Sequence, residues 1–186
     1  MTKVYFVRHS KPDFSIEDDM TRPLTEEGLK ACEGVTDFLS DKDIDRIFSS
    51  PFKRSYDTIK GLSDKIEIAI EVVGDFRERK ISNSWIDDFN SFTKNQWSDF
   101  SFKLENGENL KEVQCRNIRA FKKVIEDNED RNIVIGSHGT AMSTIINHYD
   151  PTFTYKDFER IKSLMPFIVE MEFKGLMLVS MREVML

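Results

Sequence analysis

An α/β sandwich built on a mostly parallel sheet with an antiparallel edge is the fold class the sequence predicts. Two features carry that expectation. Short apolar runs alternate with segments of helical period along most of the chain, which is the pattern of strands and helices taking turns. The chain then closes on two apolar runs, Phe167–Phe173 and Leu176–Arg182, joined at Lys174-Gly175, which reads as a hairpin on the sheet edge.

The elements follow in order. Val4 to Val7 is a buried strand that ends in Arg8-His9-Ser10 and a Lys11-Pro12-Asp13 loop signal. Thr25 caps a helix whose first turn holds Glu26 and Glu27, where the helix dipole favours acids. Leu29, Cys32, Val35 and Leu39 are its expected buried stripe. Arg46–Ser49 is a second strand. Ser50-Pro51 reads as a cap with proline at the first helical position, followed by Phe52, Tyr56 and Ile59 at helical spacing. Glu67 to Val73 alternates through Ile68, Ile70 and Val72 as a third strand. Residues 82–107 are rich in aromatics among Asp, Ser and Asn, with about two short helices expected. Glu108 to Asp127 is a longer helix with Leu110, Val113, Ile118, Phe121 and Ile125 on its apolar side. Asn132–Ile135 is a strand, followed by Gly136-Ser137-His138-Gly139 and a helix from about Thr140.

The whole-chain properties narrow the function. The 186 residues are 39% hydrophobic and 32% charged, which suits one globular domain over 1–186 without disulfides or a structural metal. No apolar run approaches the roughly 20 residues a membrane helix needs. Acids outnumber bases 33 to 27, for a formal charge of -6, so the average surface repels nucleic acid. Cys32 and Cys115 lack metal-ligand spacing and read as buried or half-buried thiols, with a reducing cytoplasm the default compartment. The N-terminus enters a strand at once, with no signal-peptide pattern. The chain is expected to act as a monomer or homodimer.

Three polar clusters follow strands: Arg8-His9-Ser10, Ser49-Ser50-Pro51-Phe52-Lys53-Arg54 and Ser137-His138-Gly139. In a parallel sheet the carboxyl ends of strands share one edge, where ligands bind, so the clusters can converge. Two arginines and two imidazoles around one point repel a cation and suit a phosphoryl group, whose oxygens accept charge-assisted hydrogen bonds. Arg54 near a helix start adds backbone donors. His9 is the candidate nucleophile: neighbouring arginines disfavour its imidazolium, and a backbone carbonyl is expected to orient its other nitrogen. His138 is then a phosphate ligand or electrostatic stabiliser, with Ser10, Gly139 and Thr140 as further substrate-binding positions, and the expected partner is a small phosphorylated substrate. A proton for the leaving alkoxide is required, and Glu78 is the best candidate, with Asp75 and Glu71 nearby.

These stretches together resemble the histidine phosphatase superfamily, the phosphoglycerate mutase-like enzymes. Val7-Arg8-His9-Ser10 resembles the family's Arg-His-Gly motif, with serine in place of glycine. Leu24-Thr25-Glu26-Glu27-Gly28 resembles its Leu-Thr-x-x-Gly helix start, and Ser49 to Thr58 its Ser-Ser-x-x-x-Arg-x-x-x-Thr segment. Phe76-Arg77-Glu78-Arg79 resembles its acid motif, Gly107-Glu108-Asn109 through Arg116 its Gly-Glu-Ser helix opening, and Ser137-His138-Gly139 its second histidine motif. The resemblance spans residues 4–140. It implies a three-layer α/β/α sandwich, no metal or cofactor, a phosphorylated His9, Arg8, Arg54 and His138 as phosphate ligands, and Glu78 as proton donor. It also places a variable cap at about 82–107, with some of Trp85, Phe89 and Trp97 expected at the pocket mouth and Lys80 and Lys94 as default solvated charges. Arg116 is as compatible with a surface charge as with the site. His148 reads as a dipole partner at a helix end. The paired arginines with following prolines that hold a substrate carboxylate in cofactor-dependent mutases are missing, and the chain is shorter. That favours hydrolysis of a phosphomonoester over mutase-type transfer; a non-catalytic phosphate-binding module is the remaining alternative.

Overall fold

The computed structural model describes residues 1–84 and 86–186. Its elements are β1 (Thr2–Arg8), α1 (Glu26–Ser40), β2 (Arg46–Ser49), α2 (Lys53–Ile66), β3 (Ile70–Val72), a 3₁₀ turn at Gly74–Phe76, α3 (Phe89–Ser98), α4 (Leu110–Asp127), β4 (Asn132–Ser137), α5 (Gly139–Tyr149), α6 (Tyr155–Ile161), β5 (Phe167–Lys174) and β6 (Met177–Val184). The six strands form one sheet in the order β3-β2-β4-β1-β5-β6. β1, β2, β3 and β4 run parallel, and β5 pairs antiparallel with both β1 and β6.

Strand alternation separates two cores. Val4 and Phe6 of β1 face Phe121, Ile125 and Ile145 on one side. Tyr5 and Val7 face Val35, Leu39, Ile59 and Leu62 on the other. Helices α1 and α2 therefore cover one face of the sheet, α4 and α5 the other, giving the three layers. Register then aligns the strand ends: Arg8 stands opposite Ser137, and Ser49 opposite Gly136. The backbone continues the pairing beyond the strands, with His9 N–H donating to Ser137 O (3.1 Å), Ser50 N–H to Gly136 O (2.9 Å) and Val73 N–H to Ser49 O (2.8 Å). No helix among the described residues is long and apolar enough to cross a membrane.

Several local expectations need correction. The third strand is only Ile70–Val72, and Val72 is exposed, because it lies at the sheet edge with one neighbour. Leu29 is 53% exposed and Gly28 is buried in its place. The inner face of that first turn is occupied by the Lys11 backbone, whose carbonyl would lie 2.3 Å from a Cβ at Gly28. Helix α2 starts at Lys53 with Phe52 as its cap, so Ser50 and Pro51 precede it. Among the described residues of 82–107 one helix, α3, forms, and α6 is an additional element. Cys32 is buried but Cys115 is exposed. His148 lies in the last turn of α5 as expected, its ring edge-on to Tyr149 at 4.9 Å.

Candidate active site

His9 stands at the end of β1 and is 6% exposed. Its Nδ1 lies 2.7 Å from the Ser10 carbonyl. A carbonyl only accepts, so the ring proton sits on Nδ1 and Nε2 keeps its lone pair. Burial pushes the imidazole pKa well below its ordinary value; the Arg54, Arg8 and Arg22 charges push the same way, against the Ser10 carbonyl. A neutral, oriented imidazole is the form a nucleophile needs.

Ser10 acts beneath that ring. Its N–H donates to Thr58 Oγ1 (2.9 Å) and its hydroxyl to Gly28 O (2.7 Å). Thr58 in turn donates to Arg54 O (2.7 Å). The hydroxyl thus faces α1, and Ser10 serves the site through its carbonyl rather than its side chain.

Arg8 lies across Gly139, where a Cβ would fall 3.0 Å from the guanidinium carbon, close enough that the guanidinium would have to shift by a few tenths of an ångström. Its Nη1 donates to Ile161 O (2.8 Å) and Leu164 O (3.2 Å), while its Nε is buried with no partner. Burial lowers its pKa to about 10, the Glu78 charge opposing and Arg54 adding to the fall. Arg54 sits in the first turn of α2, 5.0 Å over the Phe52 ring. The Asp19 carbonyl accepts from its Nη1, and the Asp19 carboxylate lies 3.0 Å from its Nη2. The remaining N–H groups are left for a ligand.

The same Asp19 carboxylate meets Arg22 Nη1 at 3.0 Å. Arg22 is itself buried, held by Ile16 O (2.7 Å) and Glu17 O (3.1 Å). Neither Asp19 nor Arg22 was expected at the site. They lie in an irregular loop, where periodicity gives no signal; an arginine directly before the Pro23-Leu24-Thr25 helix entry was the available clue.

His138 caps α5 and is fully buried. Its ring centroid is 5.3 Å from that of His9, edge-on at 62°. Nε2 is 2.7 Å from Ser50 Oγ, and Nδ1 is buried with no partner. Burial pushes its pKa well down, helped by Arg54, His9, Arg116 and Arg8. A buried polar atom without a protein partner, beside a second imidazole, is a candidate ligand contact.

Glu78 meets this cluster from the segment after β3 and the 3₁₀ turn. Its carboxylate accepts N–H from Arg79 (2.8 Å), Thr140 (3.0 Å) and Ala141 (3.1 Å), so it sits on the N-terminus of α5, where negative charge is favoured. Its charge raises the pKa of both Arg8 and Arg54, so its field reaches both arginines. Thr140 therefore offers its amide to Glu78. The neighbouring candidates differ: Asp75 pairs with Arg119 (2.8 Å) and Glu71 with Arg46.

Arg116 is buried, which removes the surface-charge alternative. It donates to the carbonyls of Asp75 (2.7 Å), Arg77 (2.8 Å) and Glu78 (3.1 Å), and its Nε and Nη2 meet the two Glu108 oxygens at 2.8 and 2.9 Å. It binds the segment that carries Glu78. Trp97 does not reach a pocket mouth; it is buried against Phe100, Phe153 and Phe158. Phe89 is half exposed, Lys80 and Lys94 are exposed, and Trp85 lies outside the described residues.

Comparison with known proteins places the chain in a family. The histidine phosphatase superfamily (branch 1) matches residues 4–175. The uncharacterized phosphatase PhoE of Bacillus subtilis (strain 168) is 25% identical over 150 residues, covering 78% of this chain and 76% of that one. Among solved structures, Bacillus stearothermophilus YhfR superposes with a TM-score of 0.77 at 19% identity, covering 96% of this chain and 95% of that one. A phosphoserine phosphatase from Entamoeba histolytica, in complex with phosphoserine, gives 0.76 at 18%, covering 97% and 96%. A mycobacterial glucosyl-3-phosphoglycerate phosphatase gives 0.78 at 15%, covering 99% and 98%. The mixed six-stranded sheet is thus the phosphoglycerate mutase-like fold, and the chain belongs to the histidine phosphatase superfamily, branch 1.

Proposed function

We propose that the protein hydrolyses a small phosphomonoester through a phosphohistidine on His9. The observation that carries this reading is the His9 ring itself: Nδ1 is tied to Ser10 O, which leaves the lone pair on Nε2, and the charges of Arg8 and Arg54 and the His138 ring act on the same imidazole.

In the first step Nε2 attacks phosphorus in line, the P–O bond to the alcohol breaks, and Glu78 gives its proton to the departing oxygen. In the second, water attacks the phosphohistidine, its proton passes to Glu78, and the N–P bond breaks to release phosphate and neutral His9. Arg8 and Arg54 balance the charge of the transferring group with preorganised donors, where most of the rate enhancement of such reactions arises. A positioned acid contributes on the order of 10²–10⁴ in rate. The names of the structural relatives, phosphatases of phosphoserine and of glucosyl-3-phosphoglycerate, support a small phosphorylated metabolite as the substrate class.

The test is a panel of phosphomonoesters at acidic to neutral pH, run in EDTA and repeated with His9→Ala. Turnover should persist in chelator and fall to background in the variant. Activity that survives the substitution, or disappears with EDTA, overturns the proposal.

A further inference from the structure

Three buried arginines act on His9: Arg54, Arg8 and Arg22. Arg8 is anchored by the carbonyls of Ile161 and Leu164 at the end of α6. Arg54 is anchored by one residue of the loop between β1 and α1. The Asp19 carbonyl accepts from its Nη1, and the Asp19 Oδ1 lies 3.0 Å from its Nη2, so a single residue closes the end of the guanidinium. The Phe52 ring lies 5.0 Å from the same group. Among the described residues nothing else accepts from it, so the Nε edge is uncommitted. Burial lowers the Arg54 pKa, and the Asp19 charge is the first to oppose that fall.

The Asp19 carboxylate is not what shapes its own loop. Pro12 bridges to Leu24, Asp13 N–H donates to Pro23 O (2.9 Å), and Lys53 N–H ties the loop to α2 through Met20 O (2.9 Å). The Asp18 carboxylate accepts from the N–H groups of Met20 (2.9 Å) and Thr21 (3.1 Å). Arg22 staples the turn through Ile16 O (2.7 Å) and Glu17 O (3.1 Å). Its Nη1 also meets the same Asp19 Oδ1 that Arg54 meets, at 3.0 Å. One carboxylate oxygen is thus held by Arg22 and shared with Arg54. The Asp19 side chain is 48% exposed, so truncating it leaves no core cavity.

We infer that Asp19, held by Arg22, is a positioning residue that closes the end of the Arg54 guanidinium and thereby presents its Nε edge to the phosphoryl group. An arginine fixed before its ligand arrives loses less freedom on binding, and that saving appears as affinity. The Asp19 charge repels the incoming anion only weakly, because it is half exposed and already shared between two guanidinium groups. The inference rests on the phosphoryl pocket of the hydrolase reading above.

Calorimetric titration with inorganic phosphate tests it without turnover. Asp19→Ala should weaken phosphate binding about tenfold, the effect of one charged hydrogen-bonded contact. Asp19→Asn keeps an acceptor at Oδ1 and should lose less. The Asp19→Ala loss should appear in kcat/KM chiefly through KM, with little change in Tm. In an Arg54→Gln background the same Asp19→Ala change should cost no further affinity, because the residue it acts through is gone. Equal losses in both backgrounds overturn the inference, the result expected if Asp19 only fastens its loop. So does tighter phosphate binding in Asp19→Ala, the result expected of a carboxylate that competes with substrate for Arg54. If Arg54→Gln fails to fold, the single variants decide: weaker binding that Asp19→Asn partly restores supports the inference, and unchanged binding overturns it. A wild-type protein that binds no phosphate overturns the inference and the hydrolase reading together. Phosphate binding with this coupling intact, but no turnover of any ester, removes the hydrolase reading alone.

Discussion

The hydroxyl of Ser50 accepts the amide hydrogen of Phe52 (3.2 Å) while lying 2.7 Å from His138 Nε2. With its oxygen already serving as acceptor, its own hydrogen is free to donate to Nε2. Donation there puts the His138 proton on Nδ1, the buried atom without a protein partner among the described residues, and an N–H is what a phosphoryl oxygen requires. We predict on this basis that Ser50 is a positioning residue that selects the His138 tautomer. Ser50→Ala should lower kcat/KM about tenfold, the worth of one hydrogen bond. It should also shift the ¹⁵N resonances of the His138 ring away from the Nδ1–H pattern, whereas Ser50→Thr restores both. An unchanged ring spectrum in Ser50→Ala would show that the tautomer is set elsewhere. From sequence, Ser50 looked like a helix cap. Its partner is 88 positions away, and no local pattern announces a pairing of that kind.

At the scale of elements, the Glu78 segment is held between α4, α5 and the turn at Gly107. Glu108 N–H donates to Lys80 O (2.8 Å), and the Glu108 carboxylate accepts from Lys80 N–H (3.0 Å). Two backbones zip so closely that a Cβ at Gly107 would fall 2.0 Å from Ile81 O. Gly107→Ala must therefore push the segment apart. We expect a loss of about 1–3 kcal/mol, seen as a Tm lower by several degrees, together with reduced turnover as Glu78 shifts. A melt and rate equal to wild type would mean that the turn yields freely. The Gly107-Glu108-Asn109 opening was legible as a helix start, and Asn109 does cap α4 in a capping box with Glu112. Its contact with the Lys80 backbone was not, because close backbone approach depends on how two distant turns dock.

Across the whole molecule, catalysis as proposed and stability draw on the same buried imidazoles. His9 and His138 both have pKa values well below the ordinary 6.5 in the folded protein, chiefly through burial. The unfolded chain therefore binds protons that the folded chain refuses. Stability is fully present above about pH 6.5 and falls as the pH drops below it, by up to about 1.4 kcal/mol per pH unit for each histidine. Carboxylates held low in the fold, such as Glu108 beside Arg116, extend the loss at still lower pH. Urea unfolding between pH 7.5 and 5.5 should show this slope, and His138→Gln should remove about half of it. A flat profile across that interval would mean that the two rings are not held neutral by the fold.

The order of the strands, the convergence of three strand-end clusters and the candidacy of His9 were legible in the sequence itself. Burial alternation and strand-end chemistry are local properties, and a parallel sheet must bring its carboxyl ends to one edge. Only the tertiary structure decided that Asp19 holds Arg54 and Arg22, that Ser50 meets His138, that Arg116 binds the Glu78 segment and that Arg79 is buried against Gln96, Phe89 and Phe92. Each of these depends on which polar groups meet after the chain has packed. Burial then makes every such pairing, or its absence, costly enough to matter.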